Sequence, residues 1–455
     1  MSQAEEPGGE RALHRVLRDP GYGKLLLLAA LLGVPVSLVA FGFLALEHAV
    51  QHWLWTELPH HWGWSRAPLW WPLPLLAVAG SVVAGVVARL PGRGGHVPAH
   101  GTVGEPVSAA ALPGVVLAGL VSLSFGAVLG PEAPLLAIGG GLALLAARAR
   151  RRDGAPGLDA VVSATGGAAA ISTVFGNPLI AVVLILEAAG LGGPRLIALV
   201  LPCLLASGIG ALVVTGFRDW SGLDTGTLSL PSVPPAGTLG AGDFLWGVLL
   251  AAAIACGVVA ATRGGRGTAA WTLRRPASRT VLCALAVGVL LAAYALCTGR
   301  SPEEAALSGQ AALADLAARP TAWPVPVLAW LLLFKGLAWT VSLGALRGGA
   351  VFPALTLGSA LTTICAGLPG FGVTSGLAVG LAAAGAAVTR LPVTASILAT
   401  LLLGSDAPGQ MPLVIVASVV AFVVGELLRS RRRWRGTSAE PPADAAPARG
   451  SPPVG

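Results

Sequence analysis

Long runs of apolar residues recur along the chain and are separated by short polar or proline-containing stretches. A helix needs roughly 20 consecutive apolar residues to cross about 30 Å of hydrocarbon. The pattern therefore predicts an all-α integral membrane protein that crosses the bilayer many times. The runs that approach or exceed this length are 24–50, 73–90, 107–129, 196–214, 244–261, 281–296, 325–343 and 411–428.

Two apolar segments depart from this pattern because each follows a glycine-containing break. One runs from Glu132 to Ala147 after Gly130-Pro131, and the other runs from Val351 to about Gly367 after Gly348-Gly349. Each would be roughly 24 Å long as a helix, which is short of a full crossing. We therefore expect both helices to begin inside the membrane.

The two halves of the chain echo each other at these segments. Each segment has a proline five residues before a glycine, and in each half a later proline begins a further apolar run. Cytoplasmic ends on both halves favour an inverted repeat. We expect a first membrane repeat at 23–217 and a second at 218–435, between a cytoplasmic segment 1–22 and a disordered cytoplasmic tail 436–455. The matching pairs are Pro134 and Pro353, Gly139 and Gly358, and Pro178 and Pro392.

The composition supports a membrane location. Of the 455 residues, 55% are apolar and 11% are charged, and the mean hydropathy is +0.77, values far from those of soluble globular proteins. The net charge of +8 comes from arginine clusters, which are typical of cytoplasmic loops, so we expect no nucleic-acid binding. We predict a bacterial inner (plasma) membrane protein with both termini in the cytoplasm. The clusters lie at 11–18, 148–152, 263–279 and 429–435.

Neither a metal nor a cofactor is expected from the sequence. The five cysteines lie in apolar segments without C-x-x-C spacing, which favours buried thiols over a disulfide framework or a zinc site. His48 and His52 stand one helical turn apart, but no thiolate or carboxylate accompanies them at ligand spacing. No H-E-x-x-H or G-x-S-x-G motif is present, so an intramembrane enzyme is the least favoured class.

Interrupted helices at matching places in two halves are the best sequence indication of a transport site. A helix that begins within the membrane points unpaired N–H groups and the positive end of its dipole at one place, which favours an anion. Glycine permits the close approach of backbone at the break. The sequence therefore predicts an anion site between the two breaks.

Carboxylates within apolar segments are costly and mark candidate functional residues. Glu132 lies at the start of a broken helix, where its carboxylate would mimic a bound anion and where protonation would release it; a plain helix-start carboxylate is the alternative. Glu187 is a candidate for a proton or water path, or else a residue that snorkels at a helix end. Glu47 is expected to have a structural partner. Lys335 either adds positive potential near the pathway or snorkels.

These residues resemble the CLC family of chloride channels and proton/chloride antiporters over nearly the whole membrane part. Residues 130–134 stand at the places of the family's G-K/R-E-G-P motif, 349–353 form an altered G-x-F-x-P motif, and 94–98 correspond to its G-S-G-I-P loop. The resemblance implies a CLC-like fold, a homodimer with one pathway in each subunit, and Glu132 as the gating glutamate. The anion-binding residues it implies are Gly95, His96, Gly349, Ala350, Val351 and Phe352.

The chain also departs from the family pattern. The family's anion-binding serine falls on Gly95, and its internal proton-transfer glutamate falls on Ala188, one residue after Glu187. Neither Tyr22 nor Tyr294 is placed to serve as the family's anion-binding tyrosine. We therefore expect transport of a small anion, chloride first, as a channel or a proton-coupled antiporter. Fluoride transport is one alternative, and a degenerate transporter that acts as a membrane scaffold or sensor is another.

Overall fold

The computed structural model describes most of the chain and is built from helices. The described residues are 20–101, 106–150, 156–190, 193–223 and 237–437. Positions 14, 18, 104, 230 and 233–235 are described as well. Within these ranges, nine helical stretches are long and apolar enough to cross a membrane. This confirms the expected all-α, multi-pass architecture. Most of the predicted segments 1–22 and 436–455 lies outside the described residues.

Among the described residues, each half contributes seven longer α-helices in matching order; the first half also has a four-residue helix, Leu58–His61, and the second half has one further short helix, α10. The first half contains α1 (Pro20–His52), α2 (Pro72–Arg89), α3 (Leu112–Ser124), α4 (Glu132–Arg150), α5 (Pro156–Phe175), α6 (Pro178–Ala189) and α7 (Gly193–Ser221). The second half contains α8 (Ala241–Leu273), α9 (Pro276–Thr298), α10 (Gln310–Ala318), α11 (Val325–Ala345), α12 (Val351–Ile364), α13 (Val373–Thr389), α14 (Pro392–Leu403) and α15 (Ala407–Thr437).

The division between the halves falls slightly later than the sequence predicts. Helix α7 continues to Ser221 and α8 begins at Ala241. A boundary after residue 217 would cut the last turn of α7. We therefore place the division within residues 222–240.

The prolines noted in the sequence mark helix starts. Pro178 and Pro392 are the first residues of α6 and α14, a position where proline sacrifices no intrahelical hydrogen bond. Asn177 caps α6, since its side chain accepts a 2.8 Å hydrogen bond from the backbone N–H of Leu179. Gly190 ends α6 in the left-handed conformation, as glycine commonly does.

The two broken helices differ in length. Helix α12 has 14 residues, or about 21 Å, and fits the expected partial crossing. Helix α4 has 19 residues, or about 28 Å, which is close to the thickness of the hydrocarbon core. The expectation that α4 is too short to cross the membrane is therefore wrong as far as its length is concerned. The helix continues beyond the apolar run, where Arg148 pairs with Asp159 of α5 at 2.7 Å.

Close glycine contacts recur at matching positions of the two halves. A methyl group added at Gly166 of α5 would lie 2.2 Å from the carbonyl oxygen of Gly139 of α4. One added at Gly358 of α12 would lie 2.6 Å from the carbonyl oxygen of Gly380 of α13. The pairs α4–α5 and α12–α13 therefore pack backbone to backbone in the same way, as expected for a structural repeat.

Helix α13 lies at the centre of the second half. Its residues 374–388 are all buried, because it packs against α8, α12, α14 and α15. In the first half, α5 packs in the same way against α1, α4, α6 and α7. The halves join through α2 with α9 and through α6 with α14.

The glycine contact between α4 and α5 is testable. We expect Gly166→Ala to destabilise the protein by about 1–3 kcal/mol, because the methyl group must displace helix backbone. The control is Gly208→Ala in α7, where an added methyl meets nothing within 4 Å. Thermal unfolding midpoints in detergent should fall for the first variant only. Equal midpoints for the two variants would contradict close packing at Gly166.

Candidate functional site

The two helix breaks meet at a reciprocal pair of backbone hydrogen bonds. The N–H of Gly130 donates to the carbonyl oxygen of Gly349 at 2.9 Å, and the N–H of Gly349 donates to that of Gly130 at 2.5 Å. The glycines precede Pro134 and Pro353 by the same four residues, so they hold equivalent positions in the two halves. The two glycines form an antiparallel bridge. Because they are equivalent residues of the two halves, a local two-fold axis passes between them, as an inverted repeat requires.

We call this contact between Gly130 and Gly349 the crossing. Two buried serines reinforce it with the same symmetry. The hydroxyl of Ser122 in α3 accepts a 3.2 Å hydrogen bond from the backbone N–H of Arg347. The hydroxyl of Ser342 in α11 accepts a 3.4 Å hydrogen bond from the backbone N–H of Val128. Both serines are 0% exposed, so each half satisfies a backbone donor of the other in a region without solvent.

Glu132 lies at this crossing and bonds to the start of α12. The side chain is 5% exposed, and its Oε1 accepts a 2.6 Å hydrogen bond from the backbone N–H of Val351. Glu132 and Val351 are the first residues of α4 and α12, so a carboxylate occupies a helix N-terminus, where negative charge is favoured. Glu132 Oε2 is buried and has no hydrogen-bond partner among the described residues.

The two glycines of the crossing leave room for this carboxyl group. A methyl group at Gly130 would lie 2.2 Å from Oε2 of Glu132, and one at Gly349 would lie 2.0 Å from its Cδ. Both distances are far below van der Waals contact. Glycine is therefore needed at both positions for space.

A small cavity of about 30 Å³ is lined by residues of both halves, among them Glu132, Val351, Thr389 and Thr394. This volume is enough for about two water molecules or one small ion, since one water needs roughly 10–15 Å³ by this measure. Most of its lining residues are apolar, and its polar lining side chains are those of Glu132, Thr389 and Thr394. Phe175 lines it and stacks on Phe352 with ring centroids 5.4 Å apart.

Glu187 bonds to Thr394, one of the lining residues of this cavity, and caps α14. Its Oε1 accepts a hydrogen bond from the backbone N–H of Val393 at 3.0 Å. Its Oε2 accepts bonds of 2.8 Å from the backbone N–H and from the hydroxyl of Thr394. Because Thr394 also lines the cavity, Glu132 and Glu187 are connected through one cavity and one threonine.

The predicted loop residues Gly95 and His96 have other neighbours. Gly95 has φ +92°, and an added methyl there would lie 3.1 Å from Val115. His96 Nε2 lies 2.9 Å from the carbonyl oxygen of Gly101. Burial lowers the pKa of His96, and nearby His100 and Arg347 lower it further while the bond to Gly101 opposes the shift, so the imidazole is neutral at neutral pH.

The other predicted anion ligands lie at the break before α12. Gly349 and Val351 meet the Glu132 carboxyl group directly, and Phe352 lies 2.7 Å from the position of a methyl added at Gly130. Ala350 is buried and is the residue immediately before α12. The structure thus brings this predicted segment together with Glu132.

Lys335 and Glu47 have structural surroundings. Lys335 is 0% exposed, so the snorkelling alternative is wrong. Its ammonium group donates to the carbonyl oxygens of Ala305, Ala306 and Leu307 at 3.1, 2.8 and 3.4 Å, which compensate its burial within the protein. Glu47 is buried and accepts a hydrogen bond from Gln51, in agreement with the structural partner expected for it.

Three residues of the site were missed by the sequence reasoning. Phe175 and Thr394 line the cavity, but their positions depend on how the two halves meet. Arg347 carried a visible signal, because it is the only charged residue between Lys335 and Arg390. Among the described residues, no group of three or more His, Cys, Asp or Glu side chains could hold a metal ion.

Comparison with known proteins places this architecture in a family. The profile described as voltage gated chloride channel matches residues 78–426. A putative ion-transport protein, YfeO, from Salmonella paratyphi A is 34% identical over 155 residues, which cover 34% of this chain and 37% of that protein. The YfeO protein of Salmonella typhimurium matches to the same extent. The chain therefore aligns with little more than a third of the length of these relatives.

Solved structures share the fold at low sequence identity. A CLC-type fluoride/proton antiporter has a TM-score of 0.68 and 19% identity, with coverage of 89% of this chain and 96% of that one. A slow cyanobacterial chloride/proton antiporter has a TM-score of 0.71 and 18% identity, with coverage of 91% and 98%.

The fold and the crossing define a multi-pass, all-helical membrane protein of two inverted repeats with broken helices at their junction. Because the family profile covers most of its length, the chain belongs to the voltage-gated chloride channel family. Its curated relatives are bacterial.

The space at the crossing predicts a coupling between Gly349 and Glu132. We expect Gly349→Ala to lower the free energy of unfolding by about 1–3 kcal/mol, because its methyl group collides with the Glu132 carboxyl group. The thermal unfolding midpoint should fall accordingly. Adding Glu132→Ala should recover part of this loss, since the shorter side chain vacates that space. Gly336→Ala, where a methyl meets nothing within 4 Å, is the control. Strictly additive effects of the two changes would contradict the predicted contact.

Proposed function

We propose that this protein moves small anions, chloride first, across the membrane along a path gated by Glu132. One observation carries the proposal: the Glu132 carboxylate accepts the N–H of Val351 at the start of α12. Helix starts bind anions through such N–H groups and through the dipole. A side-chain carboxylate in this place acts as a tethered competitor of a permeant anion.

Protonation provides the means of opening. A neutral carboxyl group loses most of its attraction to the positive end of α12, so a free anion can replace it at the Val351 N–H. Oε2 of Glu132 is the oxygen without a partner, and it is therefore the oxygen we assign to the proton. Since no catalytic motif is present, we propose transport and not catalysis.

The cavity offers a route for that proton. It is lined by Glu132 and by Thr394, and Thr394 donates two hydrogen bonds to Glu187. Water molecules in such a space could carry a proton between Glu132 and Thr394. Two proteins with this fold are described as fluoride/proton and chloride/proton antiporters. We extend that pairing of ions to this chain and assign proton access to Glu187.

The assembly and orientation form part of the same proposal. Family membership supports a homodimer with a separate pathway in each subunit. The arginine clusters support cytoplasmic termini in a bacterial plasma membrane.

Substituting the gate tests the proposal directly. In liposomes loaded with chloride, we expect efflux through the wild-type protein to increase as the pH falls, because protonated Glu132 leaves the α12 start. Glu132→Gln should transport at a rate independent of pH, since its amide does not titrate. The control is Glu57→Gln, which alters an exposed carboxylate paired with His52 and should keep the wild-type pH dependence.

Two results would count against this function. A Glu132→Gln variant with unchanged pH dependence would remove Glu132 from the gate. A wild-type protein that passes no chloride, fluoride or nitrate would favour the scaffold or sensor alternative, whereas fluoride flux without chloride flux would keep the gate and change the ion.

The role of Glu187 is tested by recording protons with chloride. Under an imposed chloride gradient, we expect wild-type vesicles to move protons against their gradient. Glu187→Gln should slow proton movement more than chloride efflux, because its amide oxygen can still accept the two hydrogen bonds from Thr394, whereas the amide cannot exchange a proton and gives up only the bond from Val393. Equal slowing of both ions would leave Glu187 with the capping role only.

A further inference from the structure

Arg347 is a buried cation that the proposed gate does not use. Only 7% of the surface of Arg347 is exposed. Nε and Nη2 donate to the carbonyl oxygen of Arg93 at 3.4 and 3.2 Å, and Nη1 donates to that of Leu346 at 3.2 Å. A guanidinium group has five N–H donors, so two remain for a further acceptor.

The charge of Arg347 also lacks a carboxylate partner. Among the described side chains, no Asp or Glu lies within 4.0 Å of its guanidinium nitrogens, whereas Arg300, Arg390 and Arg429 each pair with a glutamate. A buried charge without a counter-ion is strongly disfavoured, and carbonyl dipoles compensate it only in part. The surroundings of Arg347 therefore favour the binding of a negative group.

The position of Arg347 relates this charge to the crossing. Arg347 lies two residues before Gly349, and Glu132 lies two residues after Gly130. Two residues span at most about 7 Å, so the backbone of each residue lies close to the bridge. Arg347 and Glu132 therefore both lie within two residues of the paired glycines, one on each side of the crossing.

The symmetry of the crossing makes this charge stand out. Arg347 and Val128 hold equivalent places, since each donates its backbone N–H to a serine of the other half. The first half has an apolar side chain here and the second half has a guanidinium group. The hydrogen bond to serine needs only backbone, so the scaffold itself does not require an arginine.

The side chain of Arg347 lies against the loop that precedes α3. A methyl group at Gly94 would lie 3.6 Å from Nε of Arg347. Gly95 follows in that loop and carries no side chain that could bind an anion. Arg347 supplies a fixed positive charge at this place.

We propose that Arg347 is an anion-binding residue, whose two remaining N–H groups hold a small monovalent anion beside Gly94 before it reaches the Val351 N–H. This inference rests on the proposed function and adds a second anion position to it. Charge-assisted hydrogen bonds from a guanidinium group are among the strongest in proteins, so Arg347 would account for much of the anion affinity.

The test measures chloride binding by calorimetry on the purified protein and the chloride dependence of flux in liposomes. We expect Arg347→Gln to weaken chloride binding by at least about tenfold, since a hydrogen bond to a charged group carries roughly that weight. It should raise the half-saturating chloride concentration more than it lowers the maximal rate. Arg347→Lys should restore most of the affinity. Arg93→Gln, which removes an exposed and hydrated charge in the same loop, should bind like wild type at physiological salt.

The outcomes separate this inference from the proposed function. Wild-type affinity in a folded Arg347→Gln variant would overturn the role of Arg347 and leave the gate intact. If that variant does not fold, Arg347→Lys is the deciding variant. A chloride affinity near that of the wild type would support anion binding by the positive charge at position 347. A loss of tenfold or more would overturn it and show that the hydrogen bonds to the carbonyl oxygen of Arg93 matter instead. Absence of flux in the wild type would contradict the proposed function, while calorimetry would still test anion binding at Arg347.

Discussion

The reciprocal hydrogen bonds between Gly130 and Gly349 are the contact on which the rest of the site depends. They join equivalent points of two repeats that are otherwise far apart in sequence. Because they run through backbone atoms, they bring the starts of α4 and α12 together with no side chain between them. The N–H groups at the start of α12 can then meet the side chain of Glu132. A side chain on either glycine would occupy the space of that carboxyl group.

The site arises from departures from the repeat symmetry. The scaffold of glycines, prolines and serines is nearly the same in both halves, and it holds the backbone in the same way on each side. The charges are not repeated: Glu132 matches Val351, and Arg347 matches Val128. A symmetric scaffold thus presents one negative and one positive side chain at a single crossing. In a low-dielectric interior, such isolated charges act on a small ion far more strongly than they would in water.

The sequence predicted the features that depend on backbone conformation. Glycine and proline mark the breaks and helix starts, so the broken helices, the repeat and the position of Glu132 were all visible from the residues. The family resemblance added the segment 349–352. Features that depend on how the halves pack were not visible: the cavity beside Phe175, the cap that Glu187 provides to α14, and the carbonyl oxygens around Lys335. Composition alone cannot distinguish a lysine that reaches water from one that is enclosed by a loop.

The central claim is that the Glu132 carboxylate and a permeant anion compete for the start of α12. Crystals soaked in bromide at acidic and at neutral pH would test it by anomalous scattering. The account predicts a bromide peak at the Val351 N–H under acidic conditions, with the Glu132 side chain displaced, and no peak there at neutral pH. A Glu132 carboxyl group that stays on the Val351 N–H at both pH values, with bromide bound elsewhere, would contradict it.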